Sequence, residues 1–388
     1  MPRFPKLSTR TAALSDGVFS ALMHEAKTLD KPVYPLHVGD TYLEPIKEAM
    51  AESQRSAEIQ SLHCYSPVRG EPVLLEQIAS KLRRQAANQA PSIDNIQVVN
   101  GATAGLSVIC ESLFEAGDEV IVLSPFWPLI RGILQKSGVK VIELPFFTER
   151  DYAGFDFKQA LQQLVSPRTA AIYLNSPNNP TGKSIARAEL DVIAELAKQN
   201  DWWILCDEAY EDLFFDKAQQ ACWLHPDLHE RSIVAHTISK SYGLAGARIG
   251  YIHGPEQAMA AIRSVQTFHS YCASKPMQYA AAAALEKGDA WQQDARARYA
   301  HAANLCSSIL GIERIPAGTF AFFDVSPYFS EGQDMHSFLR RCLRHGVLLT
   351  PGSACGKDYQ SWVRLCFTVL PPEELETALR QLRSAFNC

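Results

Sequence analysis

The stretch Ser232–Tyr251, SIVAHTISKSYGLAGARIGY, decides how the rest of the chain is interpreted. An apolar run at 233–235 leads into hydroxylated residues around a single lysine, Lys240, and a glycine-rich turn then leads to Arg248. A lysine beside a strand end, with hydroxyl groups on both sides, suits an amine that reacts covalently next to a phosphate group. The alternative is a solvated loop lysine, whose pKa of about 10.4 makes it a poor nucleophile at neutral pH. The other strands must decide between the two.

The composition is that of a globular protein, with 388 residues, 47% of them hydrophobic and 20% charged. This length suggests two or three domains. The formal net charge of −5 gives no basic field for nucleic acid or for an anionic membrane surface. No apolar run approaches the ~20 residues of a membrane span, and the N-terminus lacks a signal-peptide pattern. We therefore expect a cytoplasmic protein without nucleic-acid or membrane partners.

Ten cysteines are scattered along the chain, with no CxxC motif and no Cys/His pair at metal-ligand spacing. This distribution predicts neither a disulfide framework nor a metal site. Most of these cysteines are expected to be small buried hydrophobic residues.

Strand-like runs alternate with helical patterns from residue 96 to about residue 253. The predicted strands are 96–100, 119–123, 140–145, 170–175, 203–206, 233–235 and 247–253. This alternation predicts an α/β fold in which a mostly parallel seven-stranded sheet lies between helices.

The end of the chain has a different pattern, helical after about residue 275 and then mixed. It predicts a smaller α+β domain that also recruits the N-terminal arm. The predicted limits are 1–45 for the arm and part of the small domain, 46–285 for the large domain and 286–388 for the small domain.

The residues that follow each predicted strand are candidate ligands, because open α/β sheets bind ligands at the carboxyl ends of their strands. Strand 96–100 runs into Gly101–Gly105, GATAG, whose small residues and Thr103 suit a phosphate at a helix N-terminus. A plain tight turn is the alternative, and the motif is not GxGxxG. Strand 119–123 is followed by Trp127, which suits stacking on a flat ring or packing in the core.

Two further strands end in polar motifs. Strand 170–175 runs into NSPNNPTG, whose paired amides suit a phenolic oxygen, although a turn alone is the alternative. Strand 203–206 ends at Asp207, which can pair with a protonated ring nitrogen or cap the next helix. Together with Lys240, these strand ends supply a phosphate cup, a ring stacker, an amide, an acid and an amine. That combination outweighs the separate structural explanations.

The motifs NSPNNPTG (175–182), CDEAY (206–210) and TISKSYGLAGARIGY (237–251) resemble those of pyridoxal-5′-phosphate enzymes of fold type I, in the class I/II aminotransferase group. The resemblance covers essentially the whole chain. It implies the fold-type I architecture, pyridoxal 5′-phosphate as cofactor, and amino transfer from an amino acid to a 2-oxo acid by a ping-pong mechanism.

The resemblance also implies a role for each motif residue. Lys240 forms the Schiff base with the cofactor and is the catalytic base. Asp207 pairs with the ring nitrogen, Asn179 and Tyr210 bind the ring hydroxyl oxygen, and Trp127 stacks on the ring. The implied phosphate ligands are Ala102, Thr103, Thr237, Ser239 and Arg248.

Substrate contacts and a second subunit follow from the same resemblance. Arg364 grips the substrate α-carboxylate, since the guanidinium fork matches a carboxylate. Gly39 closes over the substrate, and Asn179 contacts it as well. Tyr65 reaches the phosphate of the neighbouring subunit, which implies a homodimer with shared active sites. Ala102 stands where many relatives have a longer polar residue, so the phosphate receives less help from side chains.

Two other functions remain open at the level of the sequence. A pyridoxal-phosphate-dependent lyase, cyclase or oxidase uses the same carbanion, and ammonia or pyruvate released without a 2-oxo acid acceptor would favour it. A non-enzymatic effector-binding module, like the aminotransferase-like domain of some bacterial regulators, would need a basic helix-turn-helix extension. The arm is too short to contain one. The substrate side chain is left open.

Overall fold

The computed structural model describes residues 19–55, 58–59, 61–86, 89–216 and 219–386. The predicted arm up to residue 18 lies outside the described residues. The described part of the chain begins with three helices, α1 (Phe19–Ala26), α2 (Lys47–Gln54) and α3 (Pro72–Ala86).

Strands and helices then alternate, as the sequence predicts. In chain order they are β1 (Ile96–Val99), α4 (Gly101–Leu113), β2 (Glu119–Ser124), α5 (Pro128–Lys136), β3 (Lys140–Pro145), α6 (Phe157–Gln162), β4 (Thr169–Asn175), α7 (Arg187–Asn200), β5 (Trp203–Asp207), β6 (Ser232–Thr237), the one-turn helix α8 (Ile238–Ser241), β7 (Gly250–His253) and α9 (Glu256–His269). The end of the chain forms α10 (Lys275–Lys287), α11 (Asp289–Leu310), β8 (Phe320–Asp324), α12 (Met335–Arg344), β9 (Thr350–Pro351), β10 (Trp362–Cys366) and α13 (Pro372–Phe386).

The predicted mostly parallel sheet of seven strands is confirmed, with strand order β1-β7-β6-β5-β4-β2-β3. Only β7 runs antiparallel to its neighbours among these strands. Successive residues of β4 are buried in different apolar clusters, with Ile172 on one face of the sheet and Ala171 and Tyr173 on the other. Both faces are therefore covered, which explains why the strands read as continuous apolar runs.

A second, antiparallel sheet has the order β8-β10-β9. Its core includes residues from the beginning of the chain, such as Leu22 and Leu36, together with Ala295 and Leu379 from the end. The recruitment of the N-terminal segment by the C-terminal part of the chain was expected from the order of elements.

Two strands begin three residues later than the sequence pattern predicts. The apolar run 347–350 predicts a strand, but β9 begins only at Thr350, because Val347 forms an isolated bridge to Tyr34 instead. The strand predicted from residue 247 begins at Gly250, because Arg248 adopts a left-handed backbone conformation with φ of 52°. That conformation is incompatible with an extended strand.

No helix in the described ranges is both long and apolar enough to cross a membrane. Within the same ranges, no group of three or more His, Cys, Asp or Glu side chains is arranged to hold a metal ion. All nine cysteines that the structure describes are unpaired.

Candidate active site

A cavity of about 230 Å³ lies at the carboxyl ends of the central strands, where β4, β5 and β6 end at Asn175, Asp207 and Thr237. Its lining consists of Gly39, Ala102, Thr103, Trp127, Asn175, Asn179, Asp207, Ala209, Tyr210, Thr237, Ser239, Lys240, Ala245 and Arg248. Every site residue predicted from the sequence belongs to this lining except Arg364, which adjoins it, and Tyr65, which does not.

Lys240 lies on the one-turn helix α8, directly after β6, and it is partly buried. Its Nζ atom donates a hydrogen bond to the carbonyl oxygen of Gly39, which is 201 positions away in the sequence. Burial lowers the pKa of Lys240, and the positive charges of Arg364 and Arg248 act in the same direction, against the opposing effect of Cys366 and Asp40. A lowered pKa increases the fraction of neutral amine, the form that can act as nucleophile or base.

Asp207 is a buried carboxylate that is 4% exposed. Its Oδ2 atom accepts a hydrogen bond from the Tyr173 hydroxyl at 2.5 Å, and Oδ1 accepts one from the Ala209 backbone N–H at 3.1 Å. Burial raises the pKa of Asp207 despite these donors. No lysine, arginine or histidine in the described part of the chain forms an ion pair with it, so the carboxylate still lacks a cationic partner.

Three polar side chains form a continuous path across the cavity. The Arg364 Nη1 atom donates to Asn179 Oδ1 at 3.1 Å, and Asn179 Nδ2 donates to the Tyr210 hydroxyl oxygen at 3.0 Å. Asn179 is held by its own backbone N–H, which donates to Asn175 Oδ1 at 2.6 Å. Since burial raises the pKa of Tyr210, its phenol keeps its proton and can donate it as a hydrogen bond.

Arg364 is a buried cation without a carboxylate partner in the described part of the chain. Its side chain packs over the Phe320 ring, with 4.3 Å between the guanidinium carbon and the ring centroid. Within the described residues, the guanidinium group has one other hydrogen-bond acceptor besides Asn179, namely Thr350 Oγ1 at 3.5 Å. The Nε atom of Arg364 has no hydrogen-bond partner among these residues. The residue is 8% exposed, so most of its donor capacity is buried and unused.

The beginning of α4 borders the end of the cavity at which Arg248 lies. Ala102 and Thr103 lie in its first turn, where backbone N–H groups have no partner within the helix. Gly101 has a φ of 81°, and a Cβ atom there would lie 2.6 Å from Arg248 Nη2, so only glycine permits the approach of this arginine. The helical pattern of the sequence begins only at Ala104 and predicts a loop here, so α4 begins three residues earlier than the sequence indicates.

Small hydroxylated residues complete the same end of the cavity. Thr237 Oγ1 donates to Ser239 Oγ at 2.8 Å and accepts from the Ser239 backbone N–H at 3.1 Å. Arg248 is exposed, and its Nη1 atom donates to the Ala245 carbonyl oxygen at 2.9 Å. The arrangement offers an anion backbone N–H groups, hydroxyl groups and a guanidinium group.

Tyr65 lies outside the cavity of its own protomer. It is 82% exposed, and its ring makes an edge contact with Tyr271 at 5.2 Å between centroids. The sequence leaves open whether four other side chains, Tyr42, His63, Cys64 and His269, face the pocket or the core. In the structure none of them belongs to the described lining.

Sequence reasoning missed four residues of the site. Asn175, Ala209 and Ala245 line the cavity. Tyr173 lies behind Asp207 and is 1% exposed. A signal for Tyr173 was present, because a tyrosine in the buried run TAAIYLN has a hydroxyl group that needs a partner.

Comparison with known proteins identifies one enzyme family over most of the chain. The family model described as aminotransferase class I and II matches residues 31–382. The arginine–pyruvate transaminase AruH of Pseudomonas aeruginosa is 31% identical over 358 residues, which are 89% of this chain and 88% of the relative. The aspartate/prephenate aminotransferase of Thermus thermophilus is 30% identical over 346 residues, 86% of each chain.

Solved structures agree with the sequence relatives. The aspartate aminotransferase from Thermus thermophilus with maleate superimposes with a TM-score of 0.88 at 26% identity, covering 98% of this chain and 100% of that one. The N-succinyldiaminopimelate aminotransferase from Mycobacterium tuberculosis has a TM-score of 0.88 at 25% identity, with the same coverage.

Proposed function

This chain belongs to the class I and II aminotransferase family, and we propose a specific role in that chemistry for each polar side chain of the cavity. The protein is a pyridoxal-5′-phosphate-dependent aminotransferase that moves the α-amino group of an amino acid to a 2-oxo acid. The observation that carries the proposal is the convergence of Lys240, Asp207 and Arg364 on one cavity, each with an unused charge or a lowered pKa.

The cavity fits pyridoxal 5′-phosphate in its chemistry. The buried carboxylate of Asp207 matches a protonated ring nitrogen, because no cation of the described chain pairs with it. The N-terminal turn of α4, with Thr103, Ser239 and Arg248, matches a phosphate group. The amine of Lys240 belongs to the same lining and matches an aldehyde.

When bound, pyridoxal 5′-phosphate supplies an aldehyde that takes up the amino group and a ring that delocalises the electron pair left by proton removal. Lys240 would hold the cofactor covalently until a substrate amine takes its place. Its neutral Nζ atom would then carry a proton from the substrate α-carbon to the carbon that had been the aldehyde carbon of the cofactor. Its lowered pKa keeps the amine ready to accept that proton near neutral pH.

Asp207, Asn179 and Tyr210 orient the ring. The Asp207 carboxylate holds the ring nitrogen in its protonated form, since the ion pair removes the cost of a lone buried charge. Asn179 Nδ2 donates to the Tyr210 hydroxyl oxygen, so the phenolic proton stays available for the ring oxygen. Trp127, at the start of α5, covers one face of the ring.

Arg364 binds the substrate α-carboxylate, with Asn179 beside it. The guanidinium group is already ordered by Asn179 and by the Phe320 ring, so little side-chain entropy is lost when the carboxylate arrives. Gly39 closes over the same region, and its missing side chain is required there. A Cβ atom at Gly39 would lie 2.6 Å from Phe320 Cζ.

The phosphate site is completed by Ala102, whose contribution is its backbone N–H, by Thr237, and by Tyr65 from a second copy of the chain. Tyr65 is 82% exposed and outside its own cavity, which is the placement that a residue donated to a partner would have. We therefore infer a homodimer with shared active sites. The unpaired state of the nine described cysteines supports a reducing, cytoplasmic location. The limits 1–45, 46–285 and 286–388 are the proposed domains.

A screen of amino donors tests this function. The cofactor-loaded protein is mixed with single amino acids, beginning with arginine and aspartate, which appear in the names of the two relatives. Conversion of the bound cofactor to its amine form in a single turnover, followed by its reversal with pyruvate, is the expected result. Ammonia released without a 2-oxo acid acceptor would favour the lyase alternative instead.

A further inference from the structure

Tyr173 is a buried tyrosine whose ring and hydroxyl group have different surroundings. It lies on β4, opposite Leu205 of β5, and its ring packs in the apolar cluster that includes Cys110 of α4. It is 1% exposed and does not line the cavity. A phenylalanine would fill the same apolar space without a polar group to satisfy, so packing alone does not explain the hydroxyl group.

The hydroxyl group donates to Asp207 Oδ2 at 2.5 Å. This distance is at the short end of the range for a hydroxyl that donates to an ionised oxygen, where hydrogen bonds are about twice as strong as between neutral groups. Burial raises the pKa of Tyr173 well above its ordinary value, so the phenol is a permanent donor. The second oxygen of Asp207 is held by the Ala209 backbone N–H.

These two donors determine how the Asp207 carboxylate is oriented toward a ligand in the cavity. Each oxygen accepts one fixed hydrogen bond from the protein, which sets the plane of the carboxylate and leaves its remaining lone pairs for the cavity. Burial disfavours the charged form, and the Tyr173 and Ala209 donors oppose that effect. Removing the phenolic donor should therefore disfavour the ionised form of Asp207 and release the orientation of its carboxylate group.

We propose that Tyr173 is a positioning residue that keeps the Asp207 carboxylate ionised and directed at the ring nitrogen of the cofactor. The inference rests on the proposed function, because it assumes that Asp207 pairs with that nitrogen. The inference goes beyond the proposed function because it assigns a role to Tyr173, which touches neither cofactor nor substrate.

Binding of two cofactor forms to the apoprotein tests the proposal without any measurement of activity. The forms are pyridoxal 5′-phosphate and its 1-deaza analogue, in which a C–H group replaces the ring nitrogen. Isothermal titration calorimetry gives both dissociation constants. In Tyr173→Phe we expect the affinity for pyridoxal 5′-phosphate to fall roughly 10-fold or more, as for loss of a hydrogen bond to a charged group. The affinity for the analogue should change by less than about twofold, since it forms no ion pair with Asp207.

Tyr251→Phe is the matched control. Tyr251 is as deeply buried as Tyr173, at 1% exposure, and its hydroxyl group has no hydrogen-bond partner in the described part of the chain. This variant should bind both forms as the wild-type protein does. Equal losses for both forms in Tyr173→Phe would indicate a structural defect and overturn the inference.

Binding of both forms to the wild-type protein distinguishes failure of the role proposed for Asp207 from failure of the role proposed for Tyr173. If it binds both forms equally well, Asp207 does not hold the ring nitrogen, and the proposed role of Asp207 fails. If it prefers pyridoxal 5′-phosphate and Tyr173→Phe keeps that preference in full, only the role of Tyr173 is wrong.

Discussion

Asp207 and Glu211 are two buried acids, four positions apart, in opposite electrostatic surroundings. Asp207 is 4% exposed as a residue, and the side chain of Glu211 is 5% exposed. Glu211 receives hydrogen bonds from Lys81 Nζ and from the His236 ring, both at 2.9 Å. Within the described residues, the Asp207 side chain receives hydrogen bonds only from neutral donors. We refer to Lys81, Glu211, Asp212 and His236 as the Lys81 cluster.

The pKa values of the two acids are displaced in opposite directions. Burial disfavours the charge of both. At Glu211 the positive charge of Lys81 and the hydrogen bond from His236 outweigh burial, and its pKa is lowered. At Asp207 burial prevails, and its pKa is raised.

The buried cations show the same contrast. Lys81 is paired with two carboxylates, Glu211 at 2.9 Å and Asp212 at 2.6 Å. Arg364 has no carboxylate partner within the ranges that the structure describes. A charge that the protein neutralises itself contributes to the stability of the fold, whereas one left without a partner is available to a ligand. The cavity and the Lys81 cluster should therefore respond differently to substitution.

The largest effect is expected on activity when the cavity loses its amine. Lys240→Ala should lower the rate of amino transfer roughly 10⁴-fold, because both the covalent attachment and the base disappear. Turnover of the best amino donor measures this loss. The exposed Lys198 on α7 provides the control, since Lys198→Ala should keep full activity. A Lys240→Ala protein that still binds the cofactor covalently would contradict the assignment.

The next effect concerns stability and belongs to the Lys81 cluster. Lys81→Met should lower the free energy of unfolding by about 3–5 kcal/mol, because Glu211 and the partly buried Asp212 both lose the cation that pairs with them. Urea denaturation of the apoprotein measures this change. Lys158→Met is the matched control, since Lys158 pairs with Glu195 at 2.6 Å on the surface, and such pairs contribute about 0–1 kcal/mol. Equal losses in the two variants would show that the cluster is not a structural charge group.

Substitution of Arg364 should separate binding from folding. Arg364→Lys keeps the positive charge but loses the fork that matches a carboxylate, so KM for the amino donor should rise roughly 100-fold. The free energy of unfolding should stay within about 1 kcal/mol of wild type, because no buried anion loses its partner. Steady-state kinetics and urea denaturation give both numbers, with the exposed Arg380→Lys as control. A strongly destabilised variant with unchanged KM would assign Arg364 to the fold.

Much of this contrast is present in the sequence. The residues after five predicted strands indicate the cavity, because parallel strands bring their carboxyl ends to one edge of the sheet. The structure places Lys240, Asp207 and Asn179 there together. The contact between Lys240 and Gly39 spans 201 positions and depends on how the N-terminal segment packs against the second sheet, which no local pattern encodes.

The parts that sequence reasoning did not find depend on side-chain direction. The pairing of Tyr173 with Asp207 depends on the register of β4 and β5, in which Asn175 lies opposite Asp207. The Lys81 cluster joins α3 to the segment after β5 across 130 positions. In the sequence, Lys81 is one of several charged residues of an amphipathic helix, and nothing distinguishes it from the exposed ones.

The smallest effects are expected in the pH dependence of stability. Glu211 has a lowered pKa, so its stabilising contribution is present above its ordinary value of 4.5 and is lost as the pH falls below it. Asp207 has a raised pKa, so its ionised form destabilises the apoprotein, and this cost disappears as the pH falls through that raised value. Each unit of pKa difference corresponds to about 1.4 kcal/mol.

Unfolding of Glu211→Gln and Asp207→Asn apoproteins across acidic pH checks these signs. Wild type should be more stable than Glu211→Gln and less stable than Asp207→Asn at neutral pH, and both differences should shrink on acidification. The stability difference between wild type and Asp207→Asn should vanish at a higher pH than the difference between wild type and Glu211→Gln. Parallel curves for the two variants would mean that the two acids are equivalent.

The central claim is that the cofactor supplies the cationic partner of Asp207, whereas the protein itself supplies the cationic partner of Glu211. Calorimetric melting of wild type, Asp207→Asn and Glu211→Gln, each with and without pyridoxal 5′-phosphate, tests it most directly. We expect Glu211→Gln to melt at a lower temperature than wild type but to gain as much in melting temperature from the cofactor. We expect the Asp207→Asn apoprotein to be at least as stable as wild type and to gain much less from the cofactor. If Asp207→Asn instead destabilises the apoprotein and keeps the full cofactor gain, the claim is wrong.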